Sequence, residues 1–298
     1  MNKVNKIVTD KIVTKIKQAI EDGGIAPWQK PWYNAGVPVN YVTGRPYRGI
    51  NLLLLKEGGE YLTFNQIKDL QAKNSEVHLR KGAKASMVVF FKPVKVEKDD
   101  TEAEQEAKTF AVMRYYNVFS IKDIDGLESR RVVVEHHHDP IEGAEAIVSA
   151  YFGREGAPTL SFNDGQKACY TPATDDVCVP RRELYENGAE YYSTLFHETT
   201  HSTGHPSRLG RFDTTGVVNF GDTSYSKEEL VAEIGSAMLC GIAGIDNAAA
   251  ANNSVAYLKG WLKALQDDET LIVSAAAKAQ KAVDFILGEP AAEAETAT

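Results

Sequence analysis

Cysteine and long hydrophobic runs are scarce in this sequence of 298 residues. Its three cysteines, Cys169, Cys178 and Cys240, are odd in number and form no CxxC pair. They therefore predict reduced thiols and exclude a disulfide framework. No run of about eighteen apolar residues occurs, which predicts that no helix spans a membrane. The polar, lysine-rich start has no signal-peptide core, so we expect a cytoplasmic protein without a membrane partner.

The charge is divided unevenly along the chain. The composition, 43% hydrophobic and 25% charged, is typical of a soluble globular protein long enough for two domains. Residues 1–98 carry 17 Lys and Arg against 8 Asp and Glu, a balance of +9, whereas residues 99–298 carry 16 against 33, a balance of −17. Such a basic part favours contact with a polyanion, and nucleic acid is the obvious one.

Two imidazoles, His197 and His201, lie four residues apart with Glu198 beside the first. On a helix, positions i and i+4 share a face, so both rings can reach one metal ion. Glu198 lies about 100° further round and reaches past the ion. This HExxH pattern is that of zinc peptidases, in which the metal acidifies a water molecule and the carboxylate takes its proton. It predicts His197 and His201 as zinc ligands and Glu198 as the general base.

A third protein ligand is needed, and the sequence offers two routes to it. The longer pattern HExxHxxGxxH has its glycine at Gly204 but would need a histidine where Ser207 stands. The other route is a carboxylate from a following helix, on which Glu229 and Glu233 are spaced as i and i+4. By similarity to the NExxSD segment of thermolysin-like gluzincins, Glu229 is assigned to the metal and Glu233 to orienting a histidine ligand. The alternative stays open: Ser226 and Glu229 also match a capping box, which would leave Glu233 as the ligand. The metal is expected to be zinc, with manganese as an alternative divalent ion.

The first half interleaves aromatic and basic residues in stretches rich in proline and glycine, namely 27–33 and 41–51. Single-strand binders use this combination, because bases stack on rings while cations neutralise phosphates. A basic turn near residue 80 precedes a strand and suits phosphate as well. The predicted DNA-binding residues are Lys30, Arg45, Tyr47, Arg48, Arg80, Lys81 and Lys84. Trp28 and Trp32 fit a small core equally well.

Periodicity predicts an α+β fold. The predicted helices are 3–22, two within 50–73 with the second opening near Thr63, 141–152, about 250–267 and 270–287. The predicted strands are 86–92, 110–119, 159–162, 168–171 and 176–179. Residues 97–108 are acidic and poor in apolar residues, which predicts a mobile hairpin tip. The predicted domains are 1–130 and 141–288, with a polar linker 131–140 that contains His136–His138 and a disordered tail 289–298.

A line of motifs in this order resembles the ArdC-type antirestriction proteins of conjugative plasmids. The matching segments are 27–32, 43–51, 80–82, 90–92, 116–119 and 197–211. The resemblance implies a non-specific N-terminal domain for single-stranded DNA and a zincin-like, gluzincin-type metallopeptidase domain. It also implies that the protein shields incoming plasmid DNA from restriction in a bacterial recipient cell. The alternative is an active DNA-dependent metalloprotease that cleaves DNA-bound proteins, such as restriction subunits or DNA–protein crosslinks.

Overall fold

The computed structural model describes residues 3–21, 28, 37–55, 57–95, 109–130, 140–165, 167–211, 223–246 and 255–290. Its helices are α1 (Lys3–Glu21), α2 (Ile50–Leu54), α3 (Phe64–Gln71), α4 (Pro140–Phe152), α5 (Gly188–Ser202), α6 (Thr223–Ala243), α7 (Val255–Asp267) and α8 (Leu271–Leu287). Its strands are β1 (Val39–Asn40), β2 (Glu60–Thr63), β3 (His78–Leu79), β4 (Ser86–Lys95), β5 (Thr109–Ser120), β6 (Ile124–Asp125), β7 (Thr159–Asn163), β8 (Cys169–Thr171) and β9 (Asp176–Pro180). Lys30, Trp32, the predicted hairpin tip 97–108, His136–His138 and residues 291–298 lie outside the described residues.

Helix α1 confirms the amphipathic helix predicted for residues 3–22. Its apolar face is buried, with Val8, Ile12 and Ile16 each 0% exposed. This face packs against α7 and α8 from the far end of the chain, and Thr9 Oγ1 donates a 2.8 Å hydrogen bond to the Glu269 carbonyl. Helix α1 is therefore anchored to the C-terminal helices by its apolar stripe.

The N-terminal sheet has the strand order β1-β2-β5-β4. Strands β4 and β5 pair antiparallel from Ser86↔Val118 to Lys95↔Thr109, which confirms the two strands predicted at 86–92 and 110–119. Alternate residues point to opposite faces of the sheet. Met87 and Val89 therefore join the main core with α1 and α2, whereas Val88 packs with Val118 in a smaller cluster.

The two helices predicted within 50–73 are α2 and α3, but strand β2 separates them. Helix α3 begins where the sequence predicted, because Thr63 forms a capping box with Gln66. Gln66 N donates to Thr63 Oγ1 at 3.3 Å, and Thr63 N donates to Gln66 Oε1 at 2.9 Å. Strand β2 was missed because four residues are too few for a recognisable alternation, and the whole strand is largely buried between β1 and β5.

The second sheet has the order β7-β9-β8, with β7 parallel and β8 antiparallel to β9. This confirms the three short strands predicted before the HExxH helix. The sheet packs against α5, which in turn packs against α6, and α6 packs against α8. None of the helices in the described ranges has the length and apolar character that a membrane crossing requires.

One apolar core runs across the predicted domain boundary near residue 130. It joins Ile12, Trp28 and Val89 of the N-terminal part to Phe196 and Leu230 of the C-terminal part. Trp28 is 0% exposed, so the core interpretation of this ring is correct. The two parts thus share packed side chains, and the site-bearing helices α5 and α6 lie within that shared core.

Candidate metal centre

Helix α5 carries the HExxH motif and is fixed at both ends. Asn187 caps its start, since the side-chain oxygen accepts a 2.9 Å hydrogen bond from Glu190 N. At its end, the side chain of Arg208 donates to the Ser202 carbonyl at 2.8 Å and forms an ion pair with Asp175. Leu195 and Phe196 are each 0% exposed. The helix therefore turns its apolar side into the core and its histidines toward α6.

Helices α5 and α6 approach each other closely at Gly235. A Cβ atom at this position would lie 2.6 Å from Thr200 Cγ2 and 2.8 Å from Thr200 Oγ1. Thr200 is 0% exposed, so it has little room to move aside. The absence of a side chain at Gly235 lets α6 come near enough for its glutamates to reach the histidines.

The side chains of three residues meet where the two helices face each other. His197 Nε2 and His201 Nε2 are 3.2 Å apart, His201 Nε2 is 3.3 Å from Glu229 Oε1, and His197 Nε2 is 3.4 Å from Glu229 Oε2. Ligands placed tetrahedrally about a zinc ion at 2.0–2.2 Å are themselves about 3.3–3.6 Å apart. The spacing of these side chains therefore fits a divalent metal, with the two histidines and Glu229 as the group that would hold it.

The opposite nitrogen of each ring faces another carboxylate of α6. His197 Nδ1 lies 3.8 Å from Glu233 Oε1, and His201 Nδ1 lies 3.6 Å from Glu228 Oε1. A carboxylate at Nδ1 favours a proton on that nitrogen, which leaves the lone pair on Nε2. Two lone pairs and the Glu229 carboxylate thus converge, an arrangement that a cation stabilises. A divalent ion there would polarise a carbonyl group and acidify water.

The pKa shifts of His197, His201 and Glu229 also show that this site favours positive charge. Burial alone would lower the pKa of His201, but hydrogen bonds to Glu228 and Glu229 outweigh it and raise the pKa to about 10. The pKa of His197 is raised as well, against burial, chiefly by Glu229. Burial would raise the pKa of Glu229, yet its hydrogen bonds to both rings lower it. Since ligands must lose their protons to bind a metal, a divalent ion would displace protons here.

Two protein-family models match successive parts of the chain. The family model for the N-terminal domain of the antirestriction factor ArdC matches residues 2–119, and the model for a zincin-like metallopeptidase matches residues 148–278. A crystal structure of the antirestriction protein ArdC from plasmid R388, without metal, has a TM-score of 0.71 at 33% identity and covers 96% of this chain and 97% of that one.

The chain belongs to the ArdC-type antirestriction family. A Mn(II)-bound structure of the R388 protein matches as well, with a TM-score of 0.70 at 32% identity over 95% of this chain and 97% of that chain. The uncharacterized protein y4eC of Sinorhizobium fredii is 31% identical over 94% of this chain and 91% of its own length. Two Escherichia coli proteins named DNA primase TraC are 33% and 32% identical, but this chain spans only 20% and 28% of their length. The zincin-like domain of this ArdC-type chain implies a divalent metal.

Glu198, the predicted general base of this ArdC-type protein, is buried beside the histidines. It is 9% exposed, and its charge contributes to raising the pKa of both His197 and His201. Within the part of the chain that the structure describes, the group whose ligand atoms converge does not include His205, which follows the motif and whose Nδ1 atom is hydrogen-bonded to Ser207 Oγ at 2.7 Å. Among the described residues, the geometry therefore favours the Glu229 route to the third ligand.

Sequence reasoning missed Glu228 and Arg211 at this centre. Glu228 stands next to Glu229, and a run of two acidic residues at the start of a helix does not show which one faces a histidine. Arg211 lies ten positions after His201 in the sequence, and its Nη2 atom donates to Glu228 Oε1 at 2.7 Å. The HExxH motif followed by an arginine and then a Glu-Glu pair is the only sequence signal for this contact.

The predicted DNA-binding residues of this ArdC-type protein that the structure describes, which leaves out Lys30, fall into two groups. Arg45, Lys81 and Lys84 are exposed, and so is Arg80, whose guanidinium donates to Asp125 Oδ1 at 2.7 Å. Tyr47 is buried and Arg48 is half-buried.

Tyr47 and Arg48 contact other parts of the fold. The Tyr47 ring is 3% exposed and lies edge-on to Tyr61 at a centroid distance of 6.2 Å, so it presents no face on which a base could stack. Arg48 forms an ion pair with Asp284 of α8, and Gly49 N donates to Gln280 Oε1 at 2.9 Å. The backbone at Gly49 has a φ of 55°, which a glycine adopts without strain. The motif at 43–51 thus docks the N-terminal part onto α8. The same sequence pattern could contact a ligand or the rest of the fold. Burial decides between the two, and local composition does not determine burial.

Proposed function

We propose that this protein binds single-stranded DNA without sequence preference and protects incoming conjugative plasmid DNA from restriction in the cytoplasm of the recipient cell. Membership in the ArdC-type family supports the antirestriction role, and the balance of +9 over residues 1–98 supports contact with a polyanion. Its affinity for single strands should fall steeply with added salt, because phosphate contacts release counterions.

We propose further that a divalent metal, zinc or manganese, is held by His197, His201 and Glu229. The observation that carries this part is the convergence of their donor atoms at 3.2–3.4 Å. Glu233 and Glu228 orient the rings of His197 and His201, respectively, through their Nδ1 atoms. Glu198, the carboxylate next to the first ligand, accepts a proton from the attacking water in peptide hydrolysis.

A second function is favoured by Glu198 itself. A purely structural metal needs the two histidines and Glu229 but has no use for a buried carboxylate beside them, and Glu198 is 9% exposed. In this second function the DNA-binding part delivers an active metalloprotease to a DNA-bound protein, such as a restriction subunit or a crosslinked protein. Protection of DNA would then depend on proteolysis.

Glu198→Gln separates the two functions, because it keeps the shape of the side chain and removes its basicity. The variant is compared with the parent for metal content, for affinity for single-stranded DNA and for protection of plasmid DNA against restriction. Full protection with normal metal content would support the protective function alone. Loss of protection with metal and DNA binding intact would support proteolysis. His205→Ala serves as a control outside the predicted machinery, and we expect it to match the parent in all three measurements.

A further inference from the structure

Two aromatic rings of the N-terminal part are about half exposed. Phe64, the first residue of α3, is 47% exposed, and Tyr115 of β5 is 48% exposed. Isolated apolar side chains on a surface are common and need no explanation. A pair of rings on one surface is a different case, because it forms a platform that another flat molecule can cover.

The strand register places the backbones of these two residues near each other. Thr63, the last residue of β2, pairs with Val118, so Phe64, which follows it and begins α3, lies near Asn117, two residues from Tyr115. With strands about 4.8 Å apart and a rise of about 3.4 Å per residue, the backbones of Phe64 and Tyr115 are about 8 Å apart.

Both rings are on the same face of the sheet. The Phe64 ring lies 6.4 Å from the ring of Phe119. Tyr115 and Phe119 are separated by an even number of residues on β5, so their side chains share one face. Asn117, which is exposed, lies between them on that face.

A cation accompanies the rings. Lys68 Nζ lies 4.9 Å from the centroid of the Phe64 ring, one turn further along α3, and its side chain is exposed. A lysine in this position can neutralise a phosphate while the ring beside it contacts a base. We refer to Phe64, Lys68, Tyr115 and Asn117 as the aromatic surface.

We propose that the aromatic surface is a subsite for single-stranded nucleic acid, in which unpaired bases stack on Phe64 and Tyr115 and Lys68 contacts the phosphate backbone. This inference rests on the DNA binding proposed above and identifies where it occurs. The combination of exposed rings, an adjacent cation and a basic half of the chain is complementary to a base-bearing polyanion. Residues whose backbones are about 8 Å apart do not match bases stacked at about 3.4 Å in a duplex, so the occupant is an unstacked single strand.

The test measures the affinity of the full chain for two fluorescently labelled oligonucleotides by anisotropy. One is a thymidine 20-mer, and the other is a strand of the same length in which every residue is abasic, so that it offers phosphates but no bases. Phe64→Ala and Tyr115→Ala should each weaken binding to the thymidine strand about fivefold to a hundredfold, as expected for the loss of one stacked base. Binding to the abasic strand should change by less than about twofold.

Matched variants guard against indirect effects. Phe162→Ala removes another half-exposed ring, 52% exposed in the C-terminal part, and should leave both affinities unchanged. Tyr115→Phe and Phe64→Tyr keep an aromatic face and should retain affinity even if an alanine variant proves unstable by circular dichroism.

Each outcome decides a different question. Unchanged affinity of the Phe64→Ala/Tyr115→Ala double variant, with the parent still binding DNA, would overturn the aromatic surface and leave the proposed function standing. An equal loss for both oligonucleotides would mean a contact with phosphates only and would also overturn stacking. Failure of the parent to bind either strand would refute the proposed DNA binding itself.

Discussion

Arg211 and Glu228 form a partly buried ion pair directly behind the candidate metal centre. Arg211 Nη2 lies 2.7 Å from Glu228 Oε1, and the arginine side chain is 6% exposed. The same guanidinium donates to Thr203 Oγ1 at 2.7 Å and to the Thr200 carbonyl at 2.8 Å. Arg211 thus connects the end of α5 to the start of α6 and fixes the carboxylate that faces His201 Nδ1.

Replacing Glu228 by glutamine should weaken metal binding without abolishing it. The amide keeps the size of the side chain but loses the charge that holds a proton on His201 Nδ1 and that balances Arg211. Loss of such a supporting carboxylate typically costs about 10- to 100-fold in metal affinity. Competition with a chromophoric chelator measures this change, and Glu155→Gln, which alters an exposed carboxylate, is the control. Parental affinity in Glu228→Gln would show that Glu228 does not support the ligand.

Glu229→Ala and Glu233→Ala should have different effects on metal content. An oxygen of Glu229 lies 3.3 Å from His201 Nε2, so its loss removes one of the three proposed ligands and we expect the purified variant to contain almost no metal. Glu233 faces His197 Nδ1 at 3.8 Å, and its loss should lower affinity only about 10- to 100-fold. Elemental analysis after gel filtration reports both, with His205→Ala expected to retain metal. If Glu233→Ala lost its metal and Glu229→Ala retained it, the third ligand would be Glu233.

The sequence predicts the side chains that the structure brings together at this centre, because the relevant distances are local. His197, His201 and Glu198 belong to one helix, on which a spacing of four residues fixes the relative direction of the side chains. Glu229 and Glu233 obey the same rule on a second helix. What the sequence does not contain is the crossing of α5 and α6, so neither Glu228 nor Arg211 could be assigned before the two helices were placed.

For residues outside the candidate metal centre, local sequence does not predict which side chains are exposed. Tyr47 and Arg48 occur in a stretch whose composition matches single-strand binders, yet the structure uses the ring for a core cluster and the guanidinium for α8. Phe64 and Tyr115 carry no such local signal, because each stands in an ordinary helix or strand pattern. Their exposure depends on where β2 stops beside β5, which is a property of the sheet and not of either segment.

Asp175→Asn should lower the free energy of unfolding at neutral pH. The free energy of unfolding of the variant should also change less with acid pH than that of the parent. Arg208 is 3% exposed and donates to Asp175 Oδ2 at 2.9 Å. Burial raises the pKa of Asp175, but hydrogen bonds from Arg208 and Tyr170 outweigh it and keep the pKa below its ordinary value. A lowered folded-state pKa contributes stability that is present above about pH 4 and is lost as the pH falls through the folded-state value.

Chemical unfolding at a series of pH values tests the contribution of Asp175. We expect the variant to be less stable by about 1–3 kcal/mol at pH 7, since a buried charge loses its partner. The difference from the parent should shrink as the pH falls below about 4 and through the lowered folded-state pKa of Asp175. A constant difference across this range would show that the loss is steric and not electrostatic. Asp164→Asn, at a carboxylate that is 80% exposed, should leave the profile unchanged.

Arg45 and Arg48 stand three residues apart and should respond differently to alanine. Arg48 is 23% exposed and its partner Asp284 is 9% exposed, so Arg48→Ala leaves a buried carboxylate without its cation and should cost about 1–3 kcal/mol of unfolding free energy. Arg45 is exposed, and Arg45→Ala should leave stability within about 0.5 kcal/mol.

The same two variants separate folding from DNA contact. Arg45→Ala should weaken binding to single strands and should reduce the slope of log affinity against log salt concentration by about one, the loss of one phosphate contact. Arg48→Ala should bind single strands as tightly as the parent under conditions in which the variant is folded. Thermal melting and fluorescence anisotropy on the same preparations measure both effects. If Arg48→Ala instead lost DNA binding at full stability, its guanidinium would have to leave Asp284 to reach phosphate, and the docking of 43–51 on α8 would then depend on whether DNA is bound.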